Sequence, residues 1–355
     1  MSSPKAEDLS SVLDYMSNTI SQHVIYQSEH YPNVIALWAV GSYLMDHWSR
    51  FPKLLIVSPE RECGKTTALE TIEAFVCNGK MASSITPAAI YRYLQKACPT
   101  LLIDEADLIM KDNEELQAIV NAGHSRRGAI KILSVKSKSG EWEAKEMSLW
   151  CPQVIAGIGE FGDTLTSRSI LIGLRRKGIN ELIIDLDDTY FEANASIRNW
   201  LSEWSENLVR DELSVVPDVP DGIGNRIRDN WLPLLKIAAL AGGDWIEKAN
   251  AAIQELEINH KAESSEIGIS ELLWDLREIL INFSGPEIPS SELLNQLLYN
   301  SESNWNTAHQ GRAINSKWLV KRLRPYSIVP RRRSKANVFL LSDLHDAFKR
   351  YLLPM

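Results

Sequence analysis

The period of apolar residues changes several times along the chain, and the changes divide it. Leu9, Val12, Leu13, Met16 and Ile20 recur at helical spacing among polar neighbours, which predicts an amphipathic helix. Next, Val34, Ile35, Leu37, Trp38, Val40, Tyr43, Leu44 and Trp48 leave no polar face, so a second helix is expected to be covered by the rest of the protein or by a neighbouring subunit. Arg50-Phe51-Pro52 breaks it. Residues 54–57 are a short apolar run, 58–67 a polar loop, and 68–75 return to helical spacing, giving strand, loop and helix. Residues 81–85 read as a second strand, and Thr86-Pro87 as a helix start with the hydroxyl as cap and proline in the first turn. Residues 100–103 are an apolar strand that ends in Asp104-Glu105, and 114–122 are helical. Residues 129–135 and 141–150 read as two strands joined by a Gly-containing turn, and 153–157 and 169–174 as further core strands.

From residue 185 the period is helical again, with Phe191, Ile197, Trp200, Leu201 and Trp204 as one apolar set, then a helix opened by Arg226 and a last one from Trp245 to about Leu256. Helices over 271–283, 290–298 and 316–323, short strands at 328–329 and 338–341, and a closing helix over 344–351 follow. The expected organisation is α/β: helices 1–50 packed on a parallel-sheet core 51–180, a helical lid 181–258, a polar linker 259–270, and a winged-helix-like module 271–355.

The loop carries the candidate chemistry. It reads Ser-Pro-Glu-Arg-Glu-Cys-Gly-Lys-Thr-Thr, a phosphate-binding loop in which Pro59 stands where the common motif has its first glycine. Backbone N–H groups of Glu62, Cys63, Gly64, Lys65, Thr66 and Thr67, at the positive end of the following helix, would cradle the phosphates of ATP. Lys65 would reach the β/γ-phosphates and the Thr66 hydroxyl would ligate Mg²⁺. Asp104 and Glu105 come about forty residues later at a strand end, the edge where an open parallel sheet binds ligands. Asp104 would hold Mg²⁺, and Glu105 would act as general base toward the attacking water. A polar residue expected at the end of the 153–157 strand is missing, leaving Gln153 or Asn121 as candidates for that sensor role.

Other basic residues admit two readings. Arg168, at the foot of the last core strand, is either an arginine finger for a neighbouring subunit's nucleotide or a strand-edge salt bridge. Arg226 or Arg228 either touches the γ-phosphate from the lid or pairs with Asp229 or Asp221. Arg126 and Arg127 are solvated charges or phosphate contacts. His124 reads as a packed or exposed histidine sooner than a catalytic one. Lys136 and Lys138, at the turn of the two-stranded segment, either touch nucleic acid or form a solvated turn.

Charge and composition then narrow the class. Hydrophobic content of 45% and charged content of 24% suit a water-soluble protein, and no apolar run approaches a membrane span, so no membrane partner is expected. Residues 1–4 are not a secretory signal, and Cys63, Cys77, Cys98 and Cys151 lack metal-type spacing, so reduced thiols in a cytoplasm are expected. The net charge is −8, yet Arg312, Lys317, Lys321, Arg322, Arg324, Arg331, Arg332, Arg333 and Lys335 follow one another with no Asp or Glu between the first and the last. That segregation is an electrostatic footprint for nucleic-acid phosphates, here DNA, with a solvated positive face as the alternative. Lys317 and Lys321 lie one turn apart on the candidate recognition helix, and Arg331, Arg332 and Arg333 at the expected wing tip.

Taken in order, Ser58-Pro59-Glu60 with Cys63-Gly64-Lys65-Thr66-Thr67, Leu102-Ile103-Asp104-Glu105-Ala106-Asp107, Asn121-Ala122-Gly123-His124, Ala156-Gly157-Ile158-Gly159, Ser167-Arg168-Ser169-Ile170, and Arg226 with Asp229-Asn230-Trp231-Leu232-Pro233-Leu234-Leu235 resemble a bacterial family. It is a domain of unknown function found in primase-helicase-like proteins of phages, plasmids and other mobile elements, whose members look like AAA+ ATPases. The likeness runs over about residues 34–258, and Asp343-Leu344, Ala347-Phe348 and Arg350-Tyr351-Leu352 extend it to the C-terminus. The resemblance implies an AAA+-like P-loop ATPase with ATP and Mg²⁺ as cofactors, and makes Pro59 a family feature. The expected function is an ATP-hydrolysing, helicase-like motor on DNA, a homo-oligomer with ATP sites between subunits. The alternative is an ATP-controlled switch bound to DNA or a partner, in phage defence or mobile-element maintenance, without strand separation. No primase or nuclease constellation is present, so a protein partner supplying either activity is a further expectation.

Overall fold

The computed structural model describes residues 8–58, 60–82, 85–96, 98–110, 113–136, 140–159, 161–178, 180–215, 217–220, 223–263, 269–281, 283–299, 305–308, 312–326, 328–333 and 336–352. The chain divides into two units, residues 1–256 and 257–355.

In the first unit, helix α1 (Leu9–Ser21) starts at Asp8, whose carboxylate accepts the Ser11 N–H at 2.7 Å and satisfies one of the donors a helix start leaves open. It buries Leu9, Val12, Leu13, Met16 and Ile20, the set given by its periodicity. Helix α2 (Tyr31–Gly41) is buried everywhere except Asn33. Its cover comes from within the unit, from α1 and from the later helix Asn225–Ala241. The Trp38 indole donates to the Pro52 carbonyl at 2.8 Å, tying α2 to the entrance of the first strand.

There follow β1 (Lys53–Ser58), α3 (Lys65–Glu73), β2 (Gly79–Ala82), α4 (Pro87–Lys96), β3 (Thr100–Ile103), α5 (Ala106–Ile109), α6 (Glu114–Ala122), β4 (Ile130–Lys136), β5 (Trp142–Ser148), β6 (Gln153–Ile158), α7 (Asp163–Thr166) and β7 (Ser169–Gly173). Strands β2, β3, β6, β1 and β7 form one sheet in that order, every pair parallel. Leu54, Leu55, Ile56, Leu102, Val154, Ile155 and Ala156 are fully buried, as strands covered on both faces must be. Strands that all run one way give the sheet two unlike edges. The C-terminal edge bears the 58–67 loop and Asp104-Glu105, and β1 lies between β6 and β7, where the order of connection reverses. Strands β4 and β5 stand apart as an antiparallel hairpin.

Helices α8 (Tyr190–Ala193), α9 (Ala195–Asn207), α10 (Asn225–Ala241) and α11 (Trp245–Glu263) complete the unit. Ile197, Leu201, Trp231, Leu234, Leu235 and Trp245 enter the same core cluster as the strands. Helix α11 runs past the expected end at Leu256, so part of the stretch read as linker is helical. Residues 257–263 contain neither glycine nor proline to stop it.

The second unit contains α12 (Ile269–Leu280), β8 (Glu287–Pro289), α13 (Ser290–Tyr299), α14 (Ser316–Leu323), β9 (Arg331–Arg332), β10 (Asn337–Leu340) and α15 (Leu341–Tyr351). Its antiparallel sheet has the order β8-β10-β9. Leu273, Leu276, Leu293, Leu297, Leu319, Leu323, Phe339 and Leu344 form its core. The buried Trp305 indole donates to the Asp275 carboxylate at 2.6 Å and pins its segment to α12. The strand expected at 328–329 forms three residues later, because Ile328 is spent as a core plug.

Candidate functional site

At the C-terminal edge of the parallel sheet, α3 begins directly after Gly64, whose φ is +83°, and Glu62 also has a positive φ of +61°. Left-handed residues in such a turn point backbone N–H groups toward a common concavity. The Lys65 ammonium donates to the Ser58 hydroxyl at 3.0 Å, and that hydroxyl donates to the Glu60 carbonyl at 2.7 Å. Lys65 therefore folds back over the loop. Cys63 is buried, with its thiol facing the Arg61 carbonyl at 3.7 Å. Thr67 is half-buried in the first turn of α3, and Pro59 lies outside the described residues.

The Thr66 hydroxyl donates to the Asp104 carboxylate at 2.7 Å. One residue follows β1, the other ends β3, and β6 runs between those strands. The second Asp104 oxygen accepts the Glu105 N–H at 2.8 Å, so this buried carboxylate is fixed by two donors. Glu105 itself is exposed and has φ of +50°, a left-handed conformation that costs a non-glycine residue about 1–2 kcal/mol. The hydroxyl and the carboxylate fit Mg²⁺, a hard cation that takes few protein ligands and completes its shell with water and phosphate. No group of three His, Cys, Asp or Glu side chains placed to hold a metal exists among the described residues.

The end of β6 presents no polar side chain. The Ile158 N–H instead donates to the Asp107 carboxylate at 3.1 Å. A Cβ at Gly157 would lie 2.8 Å from that carboxylate and 2.5 Å from the Phe161 ring, so glycine is required for the approach. Arg176, which sequence reasoning passed over as part of a basic cluster, is brought to the loop. It donates to the Arg61 carbonyl at 3.1 Å and the Glu62 carboxylate at 3.2 Å.

The N-terminal edge is built differently. Leu54 pairs with Val154, which puts Lys53 beside Gln153. Neither residue reaches the loop edge, and Asn121 lies here as well, so the structure does not bring Gln153 or Asn121 of the same chain to the loop. Lys53 is fully buried, its ammonium has no hydrogen-bond partner among the described residues, and burial pushes its pKa down to about 7. Arg168 donates to the Asn121 carbonyl at 2.9 Å, a cation on the last turn of α6, where the helix dipole favours it. No salt bridge engages Arg168 among the described residues. Asn230 of α10 donates to the carbonyls of Ser167 and Ser169, on either side of Arg168, at 3.2 and 3.4 Å. The Asn230 side-chain oxygen faces His124 Nε2 at 2.9 Å and can only accept, which puts the imidazole proton on Nε2. Burial lowers the His124 pKa to about 4, with the charges of Lys53, Arg168 and Arg226 acting in the same direction.

Arg226 lies one turn before Asn230 on α10, and so belongs to this edge. The structure does not bring Arg226 to the loop of its own chain. The buried hydrogen bonds of Asn230 seat α10 on the foot of β7, at the opposite end of the strands from the loop. The exposed Asp229 carboxylate pairs with Arg50 at 2.9 Å rather than with Arg226.

The hairpin leaves Ile130, Ile132 and Trp142 exposed on one face, with the Lys136 ammonium 5.5 Å from the Trp142 ring centroid. Its other face is held by Lys131, which pairs with Glu115 at 2.6 Å. Lys138 lies outside the described residues. In the second unit, Lys317 and Lys321 are exposed one turn apart on α14, and with Ser316, Val320, Arg324, Pro330 and Asn337 they line an open groove of about 590 Å³. Arg331 faces Asp343 at 3.7 Å, and Arg333 is held by Glu287 at 2.9 Å through two of its nitrogens. Arg333 is thus engaged within its own unit, while Arg332 is exposed. No helix among the described residues is long and apolar enough to cross a membrane.

The chain is therefore a mixed α/β protein whose parallel sheet brings a Gly-Lys-Thr loop and an Asp-Glu strand end to one edge. It belongs to the family described as protein of unknown function (DUF3631), which it matches over residues 174–351. That match begins where β7 ends and covers the later helices and the second unit. The chain is also 30% identical over 129 residues to the "uncharacterized 28.9 kDa protein in xis 5'region" of Saccharopolyspora erythraea. The aligned part is 36% of this chain and 47% of that protein, so the chain spans about half the length of the curated relative it matches.

Proposed function

We propose that the protein is an AAA+-like P-loop ATPase acting on DNA. The observation that carries this reading is the 2.7 Å hydrogen bond from Thr66 to Asp104, which joins two sequence motifs across an intervening strand. Nucleotide phosphates would lie on the backbone N–H groups of residues 62–67, with Lys65 turning from Ser58 toward them. Thr66 and Asp104 are the residues that would hold Mg²⁺, which when bound neutralises charge on the phosphates. Glu105, exposed at the strand end, would take the proton of the attacking water. Arg168 and Arg226 share the opposite edge, so any contribution to a nucleotide would be to that of a neighbouring copy, in a head-to-tail homo-oligomer.

The second unit supports the nucleic-acid part of the reading. Helices α12, α13 and α14 with a three-stranded sheet, closed by α15, suit a winged-helix module, and the groove lined by Lys317, Lys321 and Arg324 is charged to hold phosphates. Membership of the family and the similarity to a protein named for its place beside xis favour a setting in mobile elements. One experiment tests the motor: displacement of a labelled strand that requires ATP and vanishes in Lys65→Ala. Hydrolysis stimulated by DNA without displacement supports a switch instead, and no ATP binding at all rejects both.

A further inference from the structure

The negative charges on the loop at the C-terminal sheet edge, those of the exposed Glu60 and Glu62, are matched by the loop's own Arg61 and Lys65. A nucleoside triphosphate adds several more negative charges. With those added, the loop's two cations are outnumbered, and the structure holds a further cation against the loop. The Leu174 N–H bonds to the Val57 carbonyl at 2.8 Å, which lays the chain leaving β7 along the end of β1. The next residue, Arg175, is fixed by its own N–H on the Ile25 carbonyl at 3.1 Å. Arg176 therefore leaves a pinned backbone and reaches across to the loop. All its contacts there use Nη2: the Arg61 carbonyl at 3.1 Å, the Glu62 carboxylate at 3.2 Å and the Glu60 carboxylate at 4.0 Å. The N–H groups on Nε and Nη1 are uncommitted among the described residues, and a guanidinium offers them in a fork that matches phosphate oxygens.

We infer that Arg176 is a further cation of the nucleotide site, brought from the end of β7, held by Glu62 while the loop is empty and exchanged onto the terminal phosphate of a nucleoside triphosphate. The inference rests on the ATPase reading above. The partner it holds in the free chain is a poor one. Both members of the Arg176–Glu62 pair are exposed, at 55% and 83%, and exposed ion pairs contribute little to stability. Phosphate, accepting two parallel N–H bonds, competes well for the same guanidinium. The contacts with Arg61 and Glu62 also brace the loop where Glu62 takes its left-handed conformation, so the exchange would couple loop shape to the number of phosphates bound.

The test is titration of fluorescent ATP and ADP analogues into the wild-type chain and into Arg176→Ala, Arg176→Lys and Glu62→Gln, with thermal melting as a check on folding. Arg176→Ala is expected to weaken ATP binding about tenfold or more, ADP binding much less, and melting not at all. Arg176→Lys should restore part of the ATP affinity, and Glu62→Gln, which frees the arginine, should tighten it. Equal losses for ATP and ADP, or a Glu62→Gln variant as weak as Arg176→Ala, would make Arg176 a brace of the loop only and overturn the exchange. A folded wild type that binds neither analogue overturns the ATPase reading and this inference with it; normal wild-type binding with no change in Arg176→Ala overturns this inference alone.

Discussion

The two edges of the parallel sheet are made from the ends of the same strands, and they treat polar groups in opposite ways. At the C-terminal edge, Lys65, Thr66, Glu105 and Arg176 retain access to solvent, and their short contacts are exchangeable for those of a ligand. At the N-terminal edge, Lys53, Gln153, His124 and Asn230 are buried, and the hydrogen bonds of Asn230 to His124, Ser167 and Ser169 fix one arrangement of β7 and α10. The difference teaches which arginines can serve which purpose. Arg176 stands over its own chain's loop, whereas Arg168 is held on the Asn121 carbonyl at the opposite end of the strands, and Arg226 lies on the helix seated there.

The largest effect expected from breaking this contrast is at the loop edge. Glu105→Gln should retain nucleotide and lose hydrolysis by about 100-fold or more, as removal of a general base does. Phosphate release and nucleotide binding, measured on one sample, check it, and unimpaired turnover would place the base elsewhere. Mixing that variant with Arg168→Ala sharpens the comparison, because one intact site per mixed pair should recover part of the activity if the far edge serves a neighbour.

The next effect belongs to the N-terminal edge and is one of stability. Lys53→Met removes a buried, unpartnered ammonium, and should raise unfolding free energy on the order of 3 kcal/mol near pH 7. The sign follows from a folded pKa of about 7 against an ordinary value of 10.5. Below pH 7 the charge is buried in full; as pH rises through 7 the folded chain sheds the proton, and the gain from the substitution should vanish toward pH 10.5. Denaturant unfolding across that range measures it.

His124 gives a smaller, acid-side effect. Its folded pKa of about 4 lies below the ordinary 6.5, so its contribution is complete above pH 6.5 and declines as pH falls to 4. The slope attributable to it is at most about 1.4 kcal/mol per pH unit, and His124→Asn should remove that part of the acid limb.

Smallest is the effect of the basic face of the second unit. Replacing Lys317 and Lys321 with Ala should flatten the salt dependence of DNA binding by about one unit of slope per lost phosphate contact. Arg333→Ala should flatten it less than either lysine substitution, since Glu287 holds the guanidinium through both Nε and Nη2 and a phosphate must displace both bonds.

Much of the loop edge was legible in the sequence because its signals are local. A glycine before Lys-Thr and an apolar run ending in Asp-Glu each require only neighbouring residues, and the sheet then unites them. Arg176 was not legible, since a lone arginine in a basic triplet looks the same whether solvated or laid across a loop. The position of Arg226 was not legible either, because helical periodicity names the face of α10 without naming what that face meets; the hydrogen bonds of Asn230 to Ser167 and Ser169 seat that helix on the foot of β7. Strand β8 escaped notice because three residues are too few to display an alternation.

Burial of Cys63 gives the loop a chemical clock. With the exposed Cys98 replaced by Ser, and with the Cys77 and Cys151 thiols pushed by burial up to about 11 and 12, Cys63 is the thiol left for an alkylating reagent to report. Reagent reaches it only when the 60–64 segment lifts from the end of β1, so the alkylation rate counts those openings directly. A ligand that closes the loop slows the clock, and one that binds elsewhere leaves it running.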